Sequence, residues 1–237
     1  MGDVIAVCGL GREGRLLRGA GVRVIAGGGD AARLAETLAR AAPGADGIIS
    51  FGMAGALDPG LRIGDWVIGE RLTGAFAAEC DSRWASALAA RLPAARRGTC
   101  YADGRLIADP AEKRRLGASG ALAADMESHL VAQAAANAGI PFAILRCISD
   151  EAEHAMPPAI TVAMRPDGGL ALGAILGSIV QKPGQIPDLL RSLVGFHRAY
   201  RALRDGARLS APLLGTVPNK IRRRRGPRGG SLRGPGP

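Results

Sequence analysis

Six short apolar runs, each stopped by a glycine or a carboxylate, constrain this chain more than any other feature. Residues 4–8 (VIAVC) stop at Gly9, 21–26 (GVRVIA) at Gly27, and 46–52 (DGIISFG) run into Gly52-Met53-Ala54-Gly55. Residues 65–69 (DWVIG) end in glycine, 121–124 (ALAA) stop at Asp125, and 141–148 (PFAILRCI) stop at Ser149-Asp150. Runs of this length without polar alternation fit strands buried on both faces. Helical spacing lies between them. Leu34 and Leu38 share a face behind Asp30, and Met126, Leu130, Ala134 and Ala138 share another that closes at Gly139. The alternation predicts an α/β fold, a single domain with a mixed central sheet flanked by helices.

Beyond Asp150 the pattern changes to Pro157-Pro158, a polar turn at 165–168 and two apolar helical stretches near 170–180 and 186–203. The longest apolar stretch, 169–180, is too short to span a bilayer. The formal charge is +10, yet seven of the 31 basic residues lie from Lys220 onward with no acidic residue among them. The remaining 24 basic residues face 21 acidic ones, an ordinary balance that gives no nucleic-acid signal. The chain therefore divides into a catalytic domain, 1–215, and a basic Arg/Gly/Pro tail, 216–237, expected to be disordered. Cys8, Cys80, Cys100 and Cys147 show no metal-ligand spacing and read as reduced thiols of a cytoplasmic protein. No metal site is expected. His129, His154 and His197 have no partners at ligand spacing, and His129 reads as a helix-surface or packing residue.

The first loop, GLGREG at 9–14, contains a literal G-x-G-x-x-G. A dinucleotide fingerprint needs a strand, the loop, a crossover helix and a second parallel strand with an acid about 20 residues on. Asp30 is at a suitable distance, but only residues 15–20 separate the loop from the next strand, which argues against a parallel crossover. A dinucleotide-binding oxidoreductase domain is thus the outside reading. Gly27-Gly28-Gly29, opening a helix, suits an anion such as phosphate, or equally a tight turn with Asp30 as the cap.

Glu13 in the first loop, GMAG after a strand, ADMES at 124–128 and LRCISD at 145–150 occur in an order that resembles the nucleoside phosphorylase family, which includes the methylthioadenosine and S-adenosylhomocysteine nucleosidases. The resemblance spans roughly residues 3–150. Within that family, SFGMAGALDPGLRIGDWVI at 50–68, MPPAITVAMRPDGG at 156–169 and KPGQIPDLL at 182–190 resemble the hopanoid-associated phosphorylases, which act on adenosylhopane.

The resemblance implies cleavage of a purine N-glycosidic bond, with oxocarbenium character on the sugar and negative charge on the leaving base. It makes Asp150 the acid at the purine, oriented by Ser149, and Glu127 the acceptor for the ribose 2′-hydroxyl, with Met126 packing on the ribose. Taken singly, Asp150 also reads as a helix cap and Glu127 as a complement to a helix dipole. Phe51, Gly52 and Met53 are further candidate substrate contacts, with Arg105 and Leu106 where related enzymes sandwich the purine. Glu13 aligns with the glutamate that activates water in the nucleosidases, whereas Gly27, Gly28, Gly29 and Arg12 are the candidates for phosphate. Phosphorolysis follows from the family name; hydrolysis is the alternative. No cofactor is implied, with phosphate as a co-substrate at most. The implied partners are a nucleoside with a hydrophobic tail, a peripheral contact with the inner membrane surface and further copies of the chain in a homo-oligomer.

Overall fold

The computed structural model describes residues 3–161 and 172–218. In chain order it comprises β1 (Val4–Cys8), α1 (Gly11–Arg15), β2 (Val22–Ala26), α2 (Ala31–Ala41), β3 (Gly47–Ala56), β4 (Trp66–Gly74) and β5 (Ala78–Glu79). There follow α3 (Ser82–Arg91), β6 (Arg96–Ala102), α4 (Pro110–Ala118), β7 (Ala121–Asp125), α5 (Ser128–Ala138) and β8 (Phe142–Asp150). The last helices are α6 (Pro158–Thr161), α7 (Leu172–Gln181) and α8 (Ile186–Leu214).

All eight strands form one sheet, ordered β2-β1-β3-β7-β6-β4-β5, with β8 paired to both β3 and β4. The β8 pairings close a ring of five strands, because β3 meets β8 in parallel and β7 antiparallel, while β6 pairs β4 and β7 in parallel. The sheet is mixed, as the apolar runs predict.

Period-two alternation sorts each strand between two cores. From β1, Ile5 and Val7 join Leu34, Leu38, Val131 and Ala135 under α2 and α5. Val4, Ala6 and Cys8 join Trp84, Leu88, Leu203 and Ala207 under α3 and α8. Local chemistry sets the helix ends. The side chains of Asp30, Asp81 and Asp109 cap α2, α3 and α4 by accepting from backbone amides, and Gly139 ends α5 at φ 64°. All four cysteines are free buried thiols.

One expectation is overturned. β1 and β2 do pair in parallel, Val4 against Val22 through Cys8 against Ala26, across a connection of only residues 9–21. The crossover fits because the helix begins inside the glycine motif, at Gly11, rather than after it. The dinucleotide reading gains nothing from this, since the Asp30 carboxylate is occupied as the α2 cap, accepting from the Arg33 amide at 2.9 Å. No described helix is long and apolar enough to cross a membrane. The 165–168 turn, part of the 170–180 stretch and nearly all of the basic tail lie outside the described residues.

Candidate active site

The site is built around a charge in the most apolar strand. Arg146, on β8, is fully buried, and a buried guanidinium persists only where acids and hydrogen bonds meet it. Its Nη2 lies 2.8 Å from Asp125 Oδ1 at the end of β7 and 3.7 Å from Glu127 Oε2, and it donates to Ser50 Oγ on β3 at 2.6 Å. Asp125 is itself pinned, accepting from the amides of Glu127 and Ser128 and from Ser128 Oγ at 2.6 Å. The sequence ADMES thus turns a strand end into a rigid holder, which aims Glu127 at the same cation.

Glu13 arrives from the other side. Its side chain is only 2% exposed; Oε2 accepts from the Leu10 amide at 2.9 Å and Oε1 from the Met53 amide at 3.0 Å. Close approach depends on glycine. A Cβ at Gly52, where φ is 150°, would stand 2.8 Å from Glu13 Oε2 and 3.0 Å from Arg146 Nη1. A Cβ at Gly9 would stand 3.0 Å from Glu127 Oε1. Gly9 of the first loop and Gly52 and Gly55 of GMAG thus leave room for the carboxylates of Glu127, Glu13 and Asp150 against the backbone.

Three carboxylates around one guanidinium leave surplus negative charge, and burial makes it costly. Burial holds Glu13 above the ordinary carboxylate range, against the two amides and Arg146. Burial also lifts Glu127 to about 7, with Asp125 and Glu13 adding to the effect and Arg146 opposing it. For Arg146, burial favours the neutral form, but Asp125, Glu127 and Glu13 outweigh it and raise its proton affinity. A site with this imbalance favours positive charge developing on a bound ligand.

Asp150 forms a second centre at the end of β8. Ser149 Oγ donates to Asp150 Oδ1 at 2.8 Å, and Lys113 Nζ on α4 donates to Oδ2 at 2.5 Å. Asp150 lines a hollow with Gly55, Arg105, Leu106, Ile107, Lys113 and Met126. Met126 and Glu127 also line a neighbouring hollow with Gly27, Gly29, Asp30, Leu34 and Leu130. Met126 is therefore common to both.

The structure brings Glu13, Gly52, Met53 and Glu127 around Arg146, and Asp150 and Met126 around the first hollow, with Ser149 behind Asp150. Phe51 is not beside either. Ser50 and Gly52 face Arg146, so alternation turns Phe51 to the opposite layer, fully buried with its ring 6.2 Å from that of Trp66. Two of the glycine-turn amides are already occupied: Gly27 donates to the Cys8 carbonyl at 2.8 Å and Gly28 to that of Gly9 at 3.0 Å. Arg12 lies with its guanidinium 4.1 Å from the centre of the Phe196 ring. Sequence reading passed over Arg146 and Lys113, and took Ser50 only as a departure from the phosphorylase pattern. An arginine inside PFAILRCISD was itself a signal, since such a strand needs acids converging from elsewhere. Lys113, one of three consecutive basic residues, gave none.

The fold has solved counterparts. S-adenosylhomocysteine nucleosidase from Streptococcus pyogenes matches with a TM-score of 0.62 at 19% identity, over 90% of this chain and 96% of that one. The 5'-methylthioadenosine/S-adenosylhomocysteine nucleosidase from Neisseria meningitidis matches at 0.63 and 18%, over 89% and 97%, and that from Helicobacter pylori at 0.61 and 17%, over 90% and 97%. No curated protein matches the chain. Residues 4–165 match the family described as the phosphorylase superfamily. This stretch holds both carboxylate centres, and the chain belongs to the phosphorylase superfamily, the nucleoside phosphorylase and nucleosidase enzymes that its strand-end motifs resemble.

Proposed function

We propose that this enzyme hydrolyses the N-glycosidic bond of an adenosine derivative, with water rather than phosphate as the nucleophile. The observation that carries the choice is the set of commitments around the site. Glu13 is a buried carboxylate of raised proton affinity held by two amides, which suits a base that takes a proton from water. The cations nearby are engaged: Arg146 with Asp125, Lys113 with Asp150, and Arg105 with Asp103 and Glu112. Arg12 packs on Phe196, and the hollow beside Gly27 and Gly29 carries two carboxylates, Asp30 and Glu127. That surface repels a dianion. The solved counterparts are nucleosidases by name.

In this reading the purine occupies the Arg105-Leu106-Ile107 hollow, where Asp150, steadied by Ser149, meets N7 of the base. Glu127 accepts the 2′-hydroxyl, a bond that strengthens as the ribose becomes cationic, and Met126 packs on the sugar. Neither metal nor organic cofactor takes part.

The 5′ substituent is proposed to be apolar, as in adenosylhopane. Ile186, Leu190, Leu193 and Val194, between 42 and 58% exposed, form a stripe on α8 flanked by exposed Arg191, Arg198 and Arg201. Such a surface suits an anionic membrane from which a lipid-tailed nucleoside is drawn. The test is adenine release from 5′-methylthioadenosine and from adenosylhopane in detergent, with and without phosphate. Free ribosyl product independent of phosphate supports hydrolysis. A phosphorylated sugar formed only with phosphate overturns it, and no adenine from either overturns the glycosidic reading itself.

A further inference from the structure

Lys113 has no assigned role, and its surroundings give it one. Its α4 neighbours Arg114 and Arg115 point to solvent, whereas Lys113 is fully buried, 0% exposed. Each of its three ammonium protons has an acceptor: Asp150 Oδ2 at 2.5 Å, the Glu151 carbonyl at 3.0 Å and the His154 carbonyl at 3.3 Å. Burying a lysine with full hydrogen bonding is costly for a merely structural contact, because an apolar side chain of similar shape would fill the space at lower cost. The lysine instead lines the hollow it shares with Asp150.

The geometry also poses a problem for Asp150. One of its oxygens accepts from an ammonium and the other from Ser149, so both are occupied as acceptors and neither is placed to give a proton to a leaving base. We propose that Lys113 supplies the proton that Asp150 delivers, acting as a positioning and proton-supplying residue behind it. This deepens the glycosidic reading above and rests on it. As the C1′–N bond breaks, its electron pair stays on the purine. One proton moves from Lys113 Nζ to the Asp150 carboxylate and one from that carboxyl group to N7, leaving Lys113 as a neutral amine. Water adds to C1′ and loses its other proton to Glu13. Once the base has left, Glu13 gives its proton back to solvent and Lys113 regains one from it.

The charged and titratable groups facing this pair are Arg105 and Asp125, which line the same hollow, and Glu151 and His154 on the turn after β8. The Glu151 carboxylate lies 3.4 Å from His154 Nδ1 and 3.9 Å from Arg62, so it is engaged away from Lys113. The relay therefore runs through one lysine and one aspartate.

The test compares full-length wild type, Lys113→Met and Lys113→Arg on 5′-methylthioadenosine, with kcat followed from pH 5 to pH 8.5. With methionine, Asp150 must take its proton from solvent. Turnover then falls with rising pH, from near wild type at pH 5 to a loss of about 100-fold at pH 8, within the usual range for general acid catalysis. Arginine keeps both Asp150 oxygens occupied and holds its own proton too tightly to give it up, so Lys113→Arg is expected to lose about 100-fold across the whole pH range. Should Lys113→Met fail to fold, the arginine variant carries the test. A loss of equal size at every pH in Lys113→Met would make the lysine structural, and wild-type turnover in Lys113→Arg would make it a charge partner only; either overturns the relay. An inactive wild type would instead overturn the glycosidic reading on which the relay rests.

Discussion

Arg146 gathers side chains from as far as 133 positions away in the chain, and its environment fixes what each of them does. Removing it as Arg146→Met leaves Asp125, Glu127 and Glu13 crowded without a cation. The expected cost is about 3–5 kcal/mol of stability, read by urea unfolding, together with loss of activity. Glu13→Gln keeps the shape and removes the base. Turnover is expected to fall about 1000-fold while the unfolding midpoint stays or rises, because a buried surplus charge has gone. Glu127 gives a pH prediction with a definite sign. Its proton affinity is raised to about 7 in the folded state, above the ordinary 4.5. The folded state therefore prefers the protonated form, and this contribution to stability, complete below about pH 4.5, is lost as pH rises through about 7. Binding of the ribose hydroxyl needs the carboxylate, so kcat/KM is expected to rise through pH 7 as stability falls. Glu127→Gln should flatten both trends, and a wild-type kcat/KM that is level from pH 6 to 8 would contradict this account.

At the scale of elements, α8 is the clamp that closes the sheet from the α3 side. Trp84 Nε1 donates to the Leu213 carbonyl at 3.1 Å, Cys147 Sγ lies 3.6 Å from the Ala199 carbonyl, and Tyr200 OH bonds the Arg12 carbonyl at 3.3 Å beside Glu13. At Gly206 the helix rests on Trp66 so closely that an added Cβ would overlap the indole ring. Gly206→Val is expected to lift α8, lower stability by at least about 3 kcal/mol in thermal unfolding and depress activity through the first loop. How much of this was legible follows from what each element needs. β1, β3, β7 and β8 read clearly because they are buried along most of their length, whereas β2, read as buried, lies at the sheet edge with Arg23, Val24 and Ala26 exposed. Glu13, Glu127 and Asp150 stand out because they fall in the loops and junctions that follow apolar runs. The first crossover misled because its helix uses the glycines that signalled a loop. Arg146 and Lys113 acquire meaning only when β3, β7, β8 and α4 come together, and no spacing along the chain records that closure. Phe51 shared its run with two site-facing neighbours, and the pleat alone turned it away.

Over the whole molecule, charge and apolar surface lie toward one end of the chain. The excess of basic over acidic residues before Lys220 is only three, and the seven basic residues beyond it follow the helix that exposes Ile186, Leu190, Leu193 and Val194. Each lysine or arginine near an anionic bilayer contributes about 1 kcal/mol, screened by salt, whereas inserted apolar side chains are insensitive to it. The two components therefore separate. Full-length protein is expected to co-sediment with vesicles rich in anionic lipid at low salt and to release partly at high salt. A chain ending at Pro218 should lose the larger share of the salt-sensitive part, leaving that of Arg191, Arg198 and Arg201, and replacing Leu190, Leu193 and Val194 with serine should lose the apolar part while adenine release from 5′-methylthioadenosine is unchanged. If the stripe instead joins two copies of the chain, the serine variant will halve the molecular mass in light scattering and leave vesicle binding intact. That result would assign the apolar face to a homo-oligomer and leave the basic tail as the membrane contact.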